Sequence, residues 1–147
     1  LNNFEKVIVS TGATKWSELL QYKNFKNINN LILMHCVSAY PCELKNINLP
    51  RMSKLKEIVN VVGYSGHYDG IDDAIAAISN NAEYIEKHFT IDKKLPGRDN
   101  KFSILPEQMK FICDFRDKFL KMREFQGLDL QEVEQGVFKE ARGRWSK

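Results

Sequence analysis

Cysteine is scarce in this chain, and what there is does not form a pattern. Cys36, Cys42 and Cys113 are odd in number and lack the paired spacing of a zinc finger. They are expected to be free thiols in a reducing cytosol, which makes a cytoplasmic location the expectation. A concentrated basic stripe is also missing. The 22 Lys and Arg are interspersed with 19 Asp and Glu for a net charge of +3, which is not the footprint of a nucleic-acid-binding protein. No apolar run approaches the length of a membrane span, and no signal-peptide pattern opens the chain. Leu1 is not an initiator methionine, so the start is expected to be a cut or an incomplete record. What is present is 43% apolar content in 147 residues, enough for the core of one domain.

The apolar residues fall into short runs of the buried-strand type, each followed by a helical pattern. Lys6 to Ser10 reads as a strand, then a helix spans Thr14 to Tyr22. Leu31 to Cys36 is the second strand, ended by the polar and proline residues through Pro41, and a helix covers Leu49 to Val59 with Pro50 in its first turn. Asn60 to Tyr64 is the third strand, and Gly70 to Asn80 the helix that packs Ala74, Ile75, Ala77 and Ile78. Tyr84 to Phe89 is the fourth strand, followed by a long loop from Thr90 to Leu105 and a helix from Pro106 to about Phe125. Four strand–helix alternations predict an α/β fold with a parallel sheet. The pattern itself leaves a β/α barrel and a doubly wound open sheet equally open, because both collect chemistry at strand C-termini.

Every predicted strand does end in polar residues: Ser10-Thr11, His35 to Tyr40, Ser65 to His67 and Glu86 to His88. The third and fourth strands should lie side by side, so both ends open onto one face. Glu86 and His88 are two apart and point the same way. His67, Glu86 and His88 are therefore expected to converge, two imidazoles and a carboxylate suited to a divalent metal or to acid–base work.

Five motifs then carry a resemblance. Ser10-Thr11-Gly12, His35-Cys36-Val37-Ser38-Ala39-Tyr40-Pro41, Gly63-Tyr64-Ser65-Gly66-His67, Ile85-Glu86-Lys87-His88-Phe89-Thr90 and Pro96-Gly97-Arg98-Asp99 occur in an order and spacing similar to the sialic acid synthase family, from about Val7 to Met109. That family comprises N-acetylneuraminate synthase and its legionaminic and pseudaminic acid relatives. Gly66, Arg98 and Asn100 depart from the family's usual aspartate, proline and histidine.

The resemblance implies the C-terminal half of a TIM-type (β/α)8 barrel, strands five to eight, over residues 1–127. Residues 128–147 would be a tail or linker, with no antifreeze-like domain. It implies a condensation of phosphoenolpyruvate with an N-acetylated amino sugar, giving a nine-carbon 2-keto sugar acid and phosphate. A divalent metal is implied, manganese by preference, with magnesium or cobalt possible, and a homodimer when complete. His67 and His88 resemble the metal ligands, and Glu86 the catalytic carboxylate beside them. Ser10 and Ser65 resemble holders of the phosphate or carboxylate of phosphoenolpyruvate. Ser38 matches a position usually filled by asparagine, Tyr40 one that contacts the sugar, and Asp99 one that hydrogen-bonds its hydroxyls. His35 is read as a supporting or barrel-interior residue, and the basic end from Lys139 to Lys147, with Trp145, as a solvated terminus. Two other readings stand beside this one: a non-catalytic fragment or half-barrel subunit, and another metal-dependent aldolase-type barrel enzyme.

Overall fold

A computed structural model describes residues 3–22 and 24–144. Leu1, Trp145 and Lys147 lie outside the described residues. Four parallel strands, β1 (Val7–Ser10), β2 (Leu31–Cys36), β3 (Val61–Gly66) and β4 (Ile85–Lys87), pair in the order β1-β2-β3-β4. Helices α1 (Trp16–Leu20), α2 (Pro50–Lys56) and α3 (Asp72–Ser79) make the crossovers, and α4 (Pro106–Met122) follows β4.

All six residues of β2 are buried, as a strand covered on both faces must be. Leu31, Leu33, Val62 and Tyr64 pack with Leu19 of α1, Met52 and Leu55 of α2 and Ala77 of α3. The three crossover helices thus lie against one face of the sheet, and by strand alternation Cys36 and Ser65 face the other way. A doubly wound sheet would carry helices on both faces and reverse its strand order at a switch point. One-sided helices and a sequential order make this a parallel four-stranded half-barrel. Lys6, just before β1, and Tyr84, just before β4, meet across the face away from the helices, with Lys6 Nζ 5.5 Å from the Tyr84 ring centroid. A second apolar cluster, Ala74 and Ile78 with Ile104 and Ile112, seats α4 on α3.

Several expected boundaries move. β3 runs on through Ser65 and Gly66, beyond the end expected at Tyr64. β4 is only three residues long, so His88 and Phe89 lie just beyond it. There Phe89 bridges Ile104 in parallel, and Ile104 N–H donates to the His88 carbonyl at 2.8 Å. The helices are shorter than the apolar periodicity suggests. His35 is a correction: it points to the helix side, its Nε2 2.7 Å from the Ile47 carbonyl, and is neither in the half-barrel interior nor behind the strand-end cluster. Residues 120–144 are exposed throughout, and within them α5 (Gln135–Glu140) gives helical structure to part of the expected tail. Among the described residues no helix is long and apolar enough to cross a membrane.

Candidate active site at the strand ends

The register brings the expected residues to one edge. Cys36 of β2 pairs with Ser65 of β3, and Ser65 with Glu86 of β4, so all three face the concave side. The Ser65 hydroxyl donates to Glu86 Oε1 at 2.7 Å. Ser65 is buried and Glu86 exposed, so the hydroxyl fixes one carboxylate oxygen while the group stays reachable.

His67 and His88 meet just past the strand ends, with ring centroids 5.2 Å apart. His67 is buried and doubly tied to the segment after β2. Its Nδ1 lies 2.9 Å from the Val37 carbonyl, and its own carbonyl accepts from Cys42 N–H at 2.9 Å. A carbonyl can only accept, so Nδ1 carries the proton, and in the neutral imidazole Nε2 holds the lone pair. His88 Nδ1 sits 3.6 Å from Asp99 Oδ2, close enough for charge to be felt and too long for a hydrogen bond. Tyr40 stacks 4.2 Å from the His67 ring, centroid to centroid. Phe102 packs edge-on to His88 at 5.2 Å and completes an aromatic wall. The structure thus joins Tyr40, His67, His88 and Asp99 in one cluster and Ser65 with Glu86 in another beside it.

Ser10 and Ser38 stand on the β1–β2 side, flanking Cys36. Ser38 Oγ is 3.9 Å from Cys36 Sγ, and the same sulfur is 3.9 Å from His67 Nδ1. A Cβ on Gly12 would collide with Ser38 Oγ and Cys36 Sγ, so this close approach requires glycine. Burial opposes charge on both Cys36 and His67. Their contact, aided by the hydroxyls at the sulfur and the Val37 carbonyl at the ring, outweighs it, drawing the thiol down and the imidazole up.

Two features escape sequence reasoning. Phe102 gives no signal, since an aromatic in a loop carries no periodicity. The other is a buried ion pair between Lys87 and Asp73, 3.0 Å apart, on the helix side of β4. Burial pulls the Lys87 ammonium below its ordinary range, while the Asp73 carboxylate pushes back. Tyr64 donates its hydroxyl to the same carboxylate at 3.0 Å, and burial with that charge pushes its own ionisation far up. Lys87 inside Ile85-Glu86-Lys87-His88 and an acid in a helix's first turn are both legible, but their partnership is not.

Comparison with known proteins settles the lineage. Residues 2–124 match the NeuB family. The chain belongs to the NeuB family. It is 38% identical over 115 residues to the N,N'-diacetyllegionaminic acid synthase of Campylobacter jejuni, an alignment covering 74% of this chain and 34% of that protein. The legionaminic acid synthase of Legionella pneumophila is 46% identical over 89 residues, 59% of this chain and 25% of the relative. The crystal structure of N-acetylneuraminic acid synthetase from Leptospira borgpetersenii superposes with a TM-score of 0.77 at 32% identity, covering 91% of this chain and 48% of that one. The chain therefore spans about a quarter to a third of the length of these curated relatives.

The donor set fits a divalent ion in one respect. Two imidazoles, one of them oriented by a backbone carbonyl, are the ligands that borderline divalent metals take. Among the described residues no group of three or more His, Cys, Asp or Glu is placed to hold an ion. His67 and His88 are the two imidazoles that could contribute to holding such an ion here.

Proposed function

We propose that this chain is the C-terminal, metal-binding half of a synthase barrel that condenses phosphoenolpyruvate with an N-acetylated amino sugar. The observation that carries the reading is the meeting of His67 and His88 at 5.2 Å beside a Ser65-held Glu86. Such a cluster at the C-terminal ends of parallel β/α strands is where barrel enzymes keep their chemistry. The names of the relatives, which are acid synthases, support the reaction class.

His67 and His88 would hold the ion, manganese by preference with magnesium or cobalt as alternatives. When bound it supplies Lewis-acid polarisation of the sugar aldehyde. Glu86 holds a water or sugar hydroxyl at the reacting centre. Ser10 and Ser65 bind and orient the acid and phosphate of phosphoenolpyruvate, with Ser65 doing so through its free lone pairs or after releasing Glu86, and Ser38 is a further substrate-binding residue beside them. Tyr40 and Asp99 line the sugar side. Carbon 3 of phosphoenolpyruvate adds to the aldehyde carbon, water adds at carbon 2, and C–O cleavage releases phosphate. The product is a nine-carbon 2-keto sugar acid. Most of the rate comes from positioning and fixed dipoles. The working form is a cytoplasmic homodimer in this reading.

The test is phosphate release from phosphoenolpyruvate in the presence of N-acetylmannosamine or its 2,4-diacetamido relatives, with metal varied. His67→Ala and His88→Ala should each abolish metal-dependent condensation and leave the far-ultraviolet circular dichroism spectrum unchanged. Retained activity with an unchanged metal requirement sinks the assignment. A half-barrel that binds metal but does not turn over alone is the second reading, favoured by the 34% coverage of the Campylobacter relative. Activity that appears only when the first four strand–helix units are supplied separates the two.

A further inference from the structure

One ammonium group touches both histidine-bearing segments. Lys87 Nζ donates to the Tyr68 carbonyl at 2.7 Å, and to Asp73 Oδ1 and Oδ2 at 3.1 and 3.0 Å. Tyr68 directly follows His67, and Lys87 directly precedes His88. The ammonium's three N–H groups are thus all engaged, which is its full capacity. Asp73 is equally occupied: Oδ1 also accepts from Ala74 N–H at 2.8 Å and Oδ2 from the Tyr64 hydroxyl at 3.0 Å. Both side chains are sealed, with 1% and 0% of their surfaces exposed.

We propose that Lys87 is a positioning residue for the proposed metal site, a strap that sets the separation and aim of His67 and His88. Two physical arguments carry this. β4 has only three residues on its β3 ladder, and beyond these the Tyr64 N–H to Tyr84 carbonyl bond and the Ile104 bonds after His88 are the backbone ties beside it, so few backbone bonds set its register. A one-residue slip would turn Glu86 toward the buried Asp73 carboxylate and Lys87 into the concave site. Burying two carboxylates together is strongly unfavourable, so the ion pair selects the register that presents Glu86 and His88. The second argument is direct connection. The bond to the Tyr68 carbonyl ties the segment after β3 to β4, so the two imidazoles cannot separate without breaking a buried charged hydrogen bond. Outer partners of metal-binding histidines commonly matter in this way.

The inference rests on the metal-site reading, and the test is built to separate them. In the full chain, Lys87→Met alone would strand a buried carboxylate, so the decisive variant is Lys87→Met combined with Asp73→Asn. Replacing both partners of a buried pair is commonly neutral for stability. Three readouts are taken: thermal melting, Mn2+ affinity by electron paramagnetic resonance titration, and the metal-free nuclear Overhauser cross-peak between the His67 and His88 ring protons. The expected result is a cooperatively folded variant whose Mn2+ affinity is weakened about 10–100-fold and whose inter-ring cross-peak disappears. A folded variant with unchanged affinity and an intact cross-peak overturns the proposal. If the paired variant does not fold, Lys87→Met with Asp73→Leu takes its place under the same criteria. If the wild-type chain itself binds no Mn2+, the metal reading fails, and the cross-peak alone decides for or against the strap.

Discussion

Glu86 and Lys87 are neighbours in one three-residue strand, yet the molecule treats their charges in opposite ways. Lys87 is sealed between Asp73 and the Tyr68 carbonyl, and Asp73 in turn accepts from the Tyr64 hydroxyl, so every partner is accounted for. Glu86 faces the concave side, exposed, with the Ser65 hydroxyl on one oxygen. The helix side of the strand uses polarity to specify geometry. The concave side leaves polarity available to something that arrives. Saturation by itself distinguishes the two, since a buried network is tolerable only when every member is satisfied, whereas a binding group must retain capacity.

The comparison can be broken most sharply at Lys87. Lys87→Ala should destabilise the full chain by about 3–5 kcal/mol, because Asp73 is left charged and buried. An unchanged urea midpoint would show that the pair is not sealed. Gly66→Ala comes next. A Cβ there meets Asp73 Oδ2 and Tyr64 Cε1, so the same network must shift, with an expected loss of ~1–3 kcal/mol. A smaller effect belongs to His35. Burial holds its pKa below the ordinary 6.5, with Arg51 of α2 adding to the shift and the Ile47 carbonyl opposing it. The Tyr64 ring of β3 lies 5.8 Å from the His35 ring. Its folded state disfavours the proton, so its contribution is whole above the unfolded pKa near 6.5. Stability then declines as pH falls from there toward the lower folded value. His35→Gln should flatten the part of the acid limb that begins just below neutrality, and identical limbs for the two proteins would refute the sign. The smallest stability change is expected at the exposed carboxylate: Glu86→Gln should stay within about 0.5 kcal/mol. Its phosphate release in the condensation assay should nonetheless fall by about 10²-fold or more. A variant that kept its activity would remove Glu86 from the chemistry.

Much of this comparison is hidden in the sequence for physical reasons. β2 is legible end to end, because a strand buried on both faces reads as the unbroken run Leu31 to Cys36. The meeting of His67 and His88 follows from parallel strands opening on one edge. The end of β3 does not, since Ser65-Gly66 looks like a turn. Gly66 is in fact a strand residue whose missing side chain makes room for the Asp73 carboxylate. Asp73 looks like any acid in a first helical turn, and only the docking of α3 shows that it faces Lys87. His35 misleads for the opposite reason. It alternates with Cys36, and one residue of register decides whether an imidazole lines the site or supports a helix.

The bridge between Phe89 and Ile104 acts as a clasp at the base of the long loop. Thr90 N–H reaches the Ile104 carbonyl at 3.0 Å and Ile104 N–H reaches the His88 carbonyl, closing the loop beside the site. On the clasped side, Phe102 and Ser103 N–H both bond the Asp99 carbonyl, at 3.2 and 3.1 Å, which fixes Asp99 and Phe102 to the base. Residues 94–97 form the exposed tip, held to the base by Asn100 Nδ2 through the Leu95 and Pro96 carbonyls at 3.0 and 3.3 Å. Doubling a loop costs only about 0.6 kcal/mol in closure entropy. Length added at the tip would therefore cost little closure entropy and leave the aromatic wall of Tyr40, His88 and Phe102 in place.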